Sequence, residues 1–511
     1  MLHPRHHAIQ APDKLACVEA WSGKHLSYAE LDAAANQGAH LFRQLGFVRG
    51  DVVAVMLDNE IALFPIAWAA ERAGLYLTSI STRLSQPDAT YIVADCGARM
   101  LIVSDVYAQT GIALGARLPS ISVYTVAPTA SGLPDWTTAT AACPAVPIGD
   151  ESPGSDMLYS SGTTGRPKGV KPALPDGALG DDTPLVAMGR ALYGMNADMV
   201  YLSTSPLYHA APLRWAMTVN RFGGTIVLMD KFDAERALAL VEQWRITHST
   251  WVPTHFVRLL KLPHEVRARY DVTSLRAAIH AGAPCPVPIK QAMIDWWGPV
   301  IEEYYAGTET CGITALSSSE WLAKPGSVGR AVLGSVRILD DHGVVLPAGE
   351  TGNVYFADGP AFAYHNDPVK TAAAYNDRGW ATLGDIGRLD EDGYLFLSDR
   401  KNFMIISGGV NIYPQEIENL LVTHPKVADV AVVGEPDDEM GEIVIAVVQP
   451  APGVPADAAL GEELRAFARA GLGGVKTPRR FDFRDTLPRE PTGKLLKAAL
   501  AAQYRLAKVA P

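Results

Sequence analysis

Short apolar runs of strand length alternate with helical periods along most of the chain, and this alternation is what most restricts its fold. Ser27 and Glu30 have the spacing of a capping box, Leu31, Ala34, Ala35, Gly38, Leu41 and Leu45 recur at helical intervals, and Gly46 is placed to end the helix. A buried strand is predicted at 52–57, a helix through Ala67 and Ala73, a short strand at 75–77, a helix opening at Ser85, Pro87 and Asp88, and a strand at 101–103. Apolar strand signals return at 200–202, 225–229 and 277–280, separated by helical stretches such as 234–244. That rhythm belongs to a parallel or mixed sheet covered by helices, so a large N-terminal α/β domain is expected. After Asp340 the texture turns to Gly-rich turns (Gly343, Gly349, Gly352, Gly359) and alternating strands, the mark of a β-rich subdomain. The last stretch reads as strand (404–406), helix (414–421), strands (427–433 and 443–448) and helix (460–470), a small α+β unit. Two domains are therefore predicted, 1–401 and 402–511, the second small and mobile.

Composition bounds the function. With 44 basic and 55 acidic residues the net charge is −11, which disfavours a nucleic-acid partner. Five cysteines without a CxxC pair argue against a disulfide framework and a zinc site, and point to a reducing, cytoplasmic setting. Residues 1–10 lack the apolar core of a signal peptide, and the longest apolar stretch, 61–70, ends at Glu71 and Arg72, so no membrane span is expected. A homodimer is left open.

Chemistry is concentrated in a few strings. Tyr159 to Gly169 reads YSSGTTGRPKG: two hydroxyl pairs, three glycines and Lys168, a loop able to surround a polyphosphate with N–H groups and hydroxyls. It is not a Walker loop, because the residue five after Gly162 is Pro167. In Tyr304-Tyr305-Ala306-Gly307-Thr308-Glu309 an aromatic face suits a purine and a hard carboxylate suits Mg²⁺. His280-Ala281-Gly282-Ala283-Pro284 is a run of small residues that lets a ligand approach the backbone.

Together with Leu383-Gly384-Asp385, the segment 398–402, Ser407 to Glu418 and Leu487 to Lys494, these strings resemble, in order, the motifs of the adenylate-forming superfamily, from about residue 10 to residue 500. That superfamily includes acyl-CoA synthetases, adenylation domains of peptide synthetases and luciferases. The resemblance implies that Ser160, Ser161, Gly162, Thr163, Thr164, Gly165 and Lys168 cradle the ATP phosphates. It further implies that Tyr305 stacks on adenine, Thr308 bonds the α-phosphate, Glu309 holds Mg²⁺, and Gly282, Ala283 and Pro284 lie along adenine and the acyl group. Asp385 and Arg400 would reach the ribose, and Lys494 would be the catalytic lysine between the attacking carboxylate and the α-phosphate.

By the same resemblance Gly408 and Gly409 form part of a pantetheine tunnel for CoA, and the hinge falls on Asn402. Here the chain departs from the usual pattern, with Asn at the hinge and Phe403 where an acid is common. In Ser205 to Pro212, His209 corresponds to an acyl-pocket residue, and no Asp is present to pair a substrate ammonium, which favours a simple carboxylic acid. Trp215, Trp251, Phe256, Ala306 and Gly307 are candidate pocket walls for a fatty or aryl acid. Between 476 and 497 seven basic residues face three acidic ones; Lys476, Arg479 and Arg484 are either a solvated face or contacts to CoA phosphates. The implied activity is an acid:CoA ligase using ATP, Mg²⁺ and CoA, with loading of a separate carrier protein, or a silent binding role, as the rival readings.

Overall fold

The computed structural model describes residues 2–160, 167–489 and 495–507. The chain divides into two compact units, each assembled from segments that are discontinuous in sequence.

The first unit comprises Met1–Trp251, Leu262–Ala278 and Phe362–Thr371. One of its sheets is wholly parallel, in the order Ser122–Thr125, Ala98–Val103, Val52–Met56, Tyr76–Ser79, Ser155–Asp156. Every residue of Val52–Met56 is buried, as a strand covered on both faces requires. The helix Tyr28–Gln44 starts where the sequence predicts: Ser27 accepts from the Glu30 N–H and Glu30 reaches back to Ser27. Gly46, at φ +75°, follows its end in the left-handed conformation that glycine adopts without strain. In Leu63–Arg72 all ten residues are buried. Elsewhere in the unit, Val200–Ser203 pairs in parallel with Thr225–Leu228 and with His248–Trp251. Thr225–Leu228 also pairs with Leu15–Glu19, which turns back antiparallel on His25–Ser27.

The second unit comprises Val252–Lys261, Ile279–Ala361 and Ala372–Pro511. The β-rich texture after Asp340 corresponds to an antiparallel sheet in the order Ser335–Leu339, Gly352–Ala357, Asp385–Leu389, Leu395–Arg400. The final sheet runs Val410–Ile412, Ile405–Ser407, Gly441–Pro450, Val427–Asp437, with Arg480–Phe483 added in parallel to Gly441–Pro450. Its two long strands outrun their predicted lengths, because they stay paired from Val427↔Pro450 to Asp437↔Gly441, through polar and proline positions that periodicity discounts. Side chains alternate between two cores. Val430, Val432, Val444 and Ala446 face the helices Pro414–Leu421 and Ala458–Leu472, while Ala431, Val433, Ile445 and Val447 face Leu500 and Tyr504 of Lys497–Ala507.

The five cysteines are free thiols, four of them buried. Among the described residues no helix is long and apolar enough to cross a membrane.

Candidate active site

In the second unit three predicted residues meet. Tyr305 stands near the end of the strand Ile301–Ala306, and Asp385 and Arg400 are register partners at the ends of neighbouring strands. The Tyr305 hydroxyl donates to Asp385 Oδ2 at 2.6 Å, and Arg400 Nε lies 3.3 Å from Asp385 Oδ1. Burial, then the Asp385 carboxylate, pushes the Tyr305 phenol well above its ordinary value, so its proton stays in the bond to Asp385. The phenol ring lies against Phe356, with centroids 6.0 Å apart and planes 28° from parallel. A carboxylate offers about four lone-pair directions, so Asp385 keeps acceptor capacity beyond these two contacts.

Directly after Tyr305 the chain makes a tight turn, with Thr310 N–H donating to the Gly307 carbonyl at 3.1 Å. Thr308 and Glu309 are its central residues. A Cβ on Gly307 would fall 2.5 Å from Glu309 Oε2 and 2.6 Å from Leu383, so a larger residue there would push the Glu309 carboxylate and the Leu383 side chain aside. Thr310 has φ +55°, a left-handed conformation that costs a β-branched residue roughly 1–2 kcal/mol. Ala306 ends the strand before the turn.

The loop Gly282-Ala283-Pro284 leaves the strand Ala277–His280 through Gly282 at φ +86°. His280 is fully buried beneath it, with Nε2 3.4 Å from Glu303 Oε2 and its ring edge-on to Phe256. Lys290, also fully buried, donates to Glu303 at 2.6 Å and lies over the Trp321 ring. Burial, reinforced by Lys290, holds His280 well below its usual value and so uncharged. The sequence reading missed the Lys290–Glu303 pair; the one signal was a lysine on the apolar side of the helix Val287–Trp297.

Gly408 and Gly409, at φ +57° and +79°, are the two central residues of the hairpin Ile405–Ser407/Val410–Ile412. Asn402 lies in the 3₁₀ turn Lys401–Phe403, between a strand of one sheet and the first strand of the next. Phe403, the departure noted above, offers its ring to Lys497 Nζ at 5.4 Å, and Lys497 pairs with the buried Glu418 at 2.8 Å. The basic run is largely engaged within the protein: Lys476 with Glu416, Arg480 with Glu435 and Asp482, Arg484 with Gln503, and Arg489 with Asp429. The pairs made by Lys476 and Arg484 are exposed, so the solvated face and the phosphate contact both stay open for them. Lys494 lies outside the described residues, as do Ser161, Gly162, Thr163, Thr164 and Gly165.

The first unit holds the remaining candidates. Ser160 ends one strand and Lys168 begins the other of the antiparallel pair Leu158–Ser160/Lys168–Val170, which flanks the phosphate-loop string. Lys168 Nζ lies 4.9 Å over the Tyr364 ring. His209 is the N-cap residue of the helix Ala210–Phe222, half-buried, its ring 4.7 Å from that of Tyr208. The loop leading to it is fixed by Asn59, which donates to the carbonyls of Ser205 and Met229 and accepts from Leu207 N–H. Nothing in the local pattern marks Asn59, since its partners are far away in sequence. Trp251 is buried and donates its indole N–H to Ser249 Oγ at 2.7 Å. Trp215 packs in the core against Tyr193.

A family model described as AMP-binding enzyme matches residues 4–363, and a model of the AMP-binding enzyme C-terminal domain matches residues 416–494. The long-chain-fatty-acid–CoA ligase FadD13 of Mycobacterium tuberculosis is 32% identical over 510 residues, covering 98% of this chain and 97% of that relative. Feruloyl-CoA synthase of an Amycolatopsis species is 34% identical over 487 residues, 94% of each chain. Among solved structures, ATP-bound MatB from Rhodopseudomonas palustris matches with a TM-score of 0.81 at 28% identity, over 98% of this chain and 99% of that one. A family match over most of the chain and relatives alike along nearly its whole length place this protein in the AMP-binding enzyme family, with that family's C-terminal domain.

Proposed function

We propose that the protein is an AMP-forming acid:CoA ligase that acts in the cytoplasm on a fatty or aryl carboxylic acid, with ATP and CoA as co-substrates. The observation that carries this reading is the joining of Tyr305, Asp385 and Arg400 into one hydrogen-bonded and ion-paired group, with Thr308 and Glu309 next in the chain. A stacking ring, a ribose acceptor and a phosphate-facing turn are the parts an adenylating enzyme needs.

In the first half-reaction the substrate carboxylate attacks the α-phosphorus of ATP; an acyl–phosphate bond forms, and the bond to pyrophosphate breaks. Lys494 supplies positive charge between the two reacting anions, and the Thr308 hydroxyl bonds an α-phosphate oxygen. Ser160, Lys168 and the string between them hold the outer phosphates. Glu309, a hard carboxylate of the kind Mg²⁺ takes, would hold the ion, which would offset phosphate charge. In the second half-reaction the CoA thiolate attacks the acyl carbon, and AMP leaves with the electron pair of the anhydride bond. Gly408 and Gly409 leave room for the pantetheine arm. The body that turns between the two steps is 402–511, pivoting at Asn402; the change of sheet on either side of Lys401–Phe403 supports this boundary. His209, Trp251, Ala306 and Gly307 are each assigned to the acyl group; the Trp251 indole is fixed by its bond to Ser249.

The test is AMP release from ATP with a panel of short, medium, long and aromatic acids, each with and without CoA. Steady AMP release that needs one class of acid together with CoA supports the reading. Acid-driven pyrophosphate exchange that CoA leaves unchanged transfers the product to a carrier protein, and silence across the panel overturns catalysis. Lys494→Ala is expected to abolish adenylation.

A further inference from the structure

The hairpin that flanks the phosphate-loop string is held by more than its own strands. On one strand, Tyr159 donates its hydroxyl to Asp95 Oδ2 at 2.5 Å, bridging 64 positions of sequence. On the other, the Gly169 carbonyl accepts from His365 N–H at 2.8 Å, and Val170 forms a β-bridge with Tyr364. The two arms then meet. His365 Nε2 lies 3.0 Å from the Asp95 carbonyl and therefore carries the proton, and Asn366 Nδ2 donates to the same carbonyl at 3.2 Å. Asn366 does so from φ +54°, a left-handed conformation that Asn tolerates better than most residues. Asp95 is the last residue of the helix Gln86–Asp95, where carbonyls have no partner inside the helix, so the carbonyl taking these two donors is one the helix leaves open. The circuit closes tightly: a Cβ on Gly169 would stand 2.8 Å from the Tyr159 ring, so that ring packs on bare backbone. Tyr364, one residue before His365, carries Lys168 on its ring face.

We infer that Asp95 and His365 are positioning residues for ATP: one brace ties both strands of the phosphate hairpin to the end of a single helix and sets where Ser160 and Lys168 meet the outer phosphates. The inference rests on the proposed adenylating function. Neither residue touches the reacting atoms; each acts through the hairpin.

The experiment measures both half-reactions in Asp95→Ala, Asp95→Asn, Tyr159→Phe and His365→Ala. Asp95→Ala is expected to raise the KM for ATP in pyrophosphate exchange about tenfold, the worth of one partly buried hydrogen bond to a charged group. The KM for the acid, and CoA transfer from preformed acyl-adenylate, should stay within about twofold of wild type, since one hydrogen bond's worth of free energy is spent on ATP alone. Asp95→Asn retains an acceptor and should recover most of the loss. Adding Tyr159→Phe to Asp95→Ala should cost nothing further, whereas adding His365→Ala should, because it breaks the second arm. If the KM values for ATP and acid rise together, if Tyr159→Phe and Asp95→Ala are additive, or if ATP affinity is unmoved, the brace is overturned. Should Asp95→Ala fail to fold, Tyr159→Phe carries the same test. Hydrogen exchange at Lys168–Val170 in the nucleotide-free protein decides the brace without any activity: protection is expected to drop in Asp95→Ala and His365→Ala, and unchanged protection refutes it. A wild type silent with every acid refutes the ligase reading, while the exchange measurement still stands or falls separately.

Discussion

Two hairpins in this protein carry glycines assigned to ligands, and they are secured in different ways. The Leu158–Ser160/Lys168–Val170 pair is fixed by side chains and backbone that come from positions 95 and 364–366. Ile405–Ser407/Val410–Ile412 is fixed by its own turn, whose two left-handed glycines match the right-handed twist of the strands, and by the start of the neighbouring strand: Gly408 N–H donates to the Met440 carbonyl, Ile406 N–H donates to the Glu442 carboxylate, and Ile405 and Ile412 are buried in the core. The first depends on distant residues and is exposed to mutation at many places. In the second, a Cβ on Gly409 meets no atom and one on Gly408 meets only the movable end of the Met440 side chain, so at those two positions backbone angle sets the tolerance.

The largest break in this contrast should come from Gly169→Val. Its side chain would enter the Tyr159 ring, itself tied to Asp95, so overpacking of about 1–3 kcal/mol falls on the phosphate hairpin. Thermal unfolding should show that loss, and ATP-dependent pyrophosphate exchange should fall by more than the lost stability accounts for. Next comes Gly409→Ala, which meets no atom within 4 Å but must hold φ +79°. A penalty of about 1 kcal/mol in denaturant unfolding, with exchange intact, would show that angle and not space governs the second hairpin. Gly408→Asn sharpens the comparison further. Asn-Gly is the favoured pair for such a turn, so stability should change by only about 0.5 kcal/mol or less. If the bare backbone there admits the pantetheine arm, the KM for CoA should rise while the KM for ATP holds; equal CoA kinetics would remove Gly408 from the tunnel. The smallest effect is expected for Met440→Ala. The hairpin uses the Met440 carbonyl and the side chain is half-buried, so truncation should cost about 1 kcal/mol or less and leave both half-reactions within about twofold. A large loss there would show that the second hairpin leans on the Met440 side chain as well as on the Glu442 carboxylate.

Much of the architecture was legible because it is written in local patterns. The capping box at Ser27, the helices 234–244 and 414–421 and the strand 277–280 appear at their predicted bounds. The overall α/β class follows from the same periodicity. What periodicity could not reach are contacts between residues far apart in sequence. Asn59 holding the loop before His209, Lys290 buried against Glu303, and Asp95 beneath Tyr159 are each an ordinary polar residue until the chain folds. The same limit applies to Phe403. As a departure from a motif it signalled only uncertainty about the hinge; as the ring under Lys497 it has a partner that lies 94 positions later. For Lys476 and Arg484 the sequence shows a basic run but not the partners, Glu416 and Gln503, that lie elsewhere in the chain.

The paired strands Val427–Asp437 and Gly441–Pro450 hold apolar side chains on both faces. In a half-solvated sheet a slip of one residue is forbidden because it would send the apolar set into water. Here a slip would only exchange one greasy layer for another, so hydrophobicity carries little information about alignment. Alignment is set instead at the short connection between the strands, where the Asp437 carboxylate accepts from the N–H groups of Glu439 and Met440 and Gly441 turns at φ +78°; the buried Glu418 carboxylate accepting from Val432 N–H at 2.7 Å, and Arg489 clasping Asp429 through two bonds, then tie Val427–Asp437 to its surroundings. A folding chain that lost that turn would keep its strands and its burial, and lose the instruction that says which residue stands opposite which.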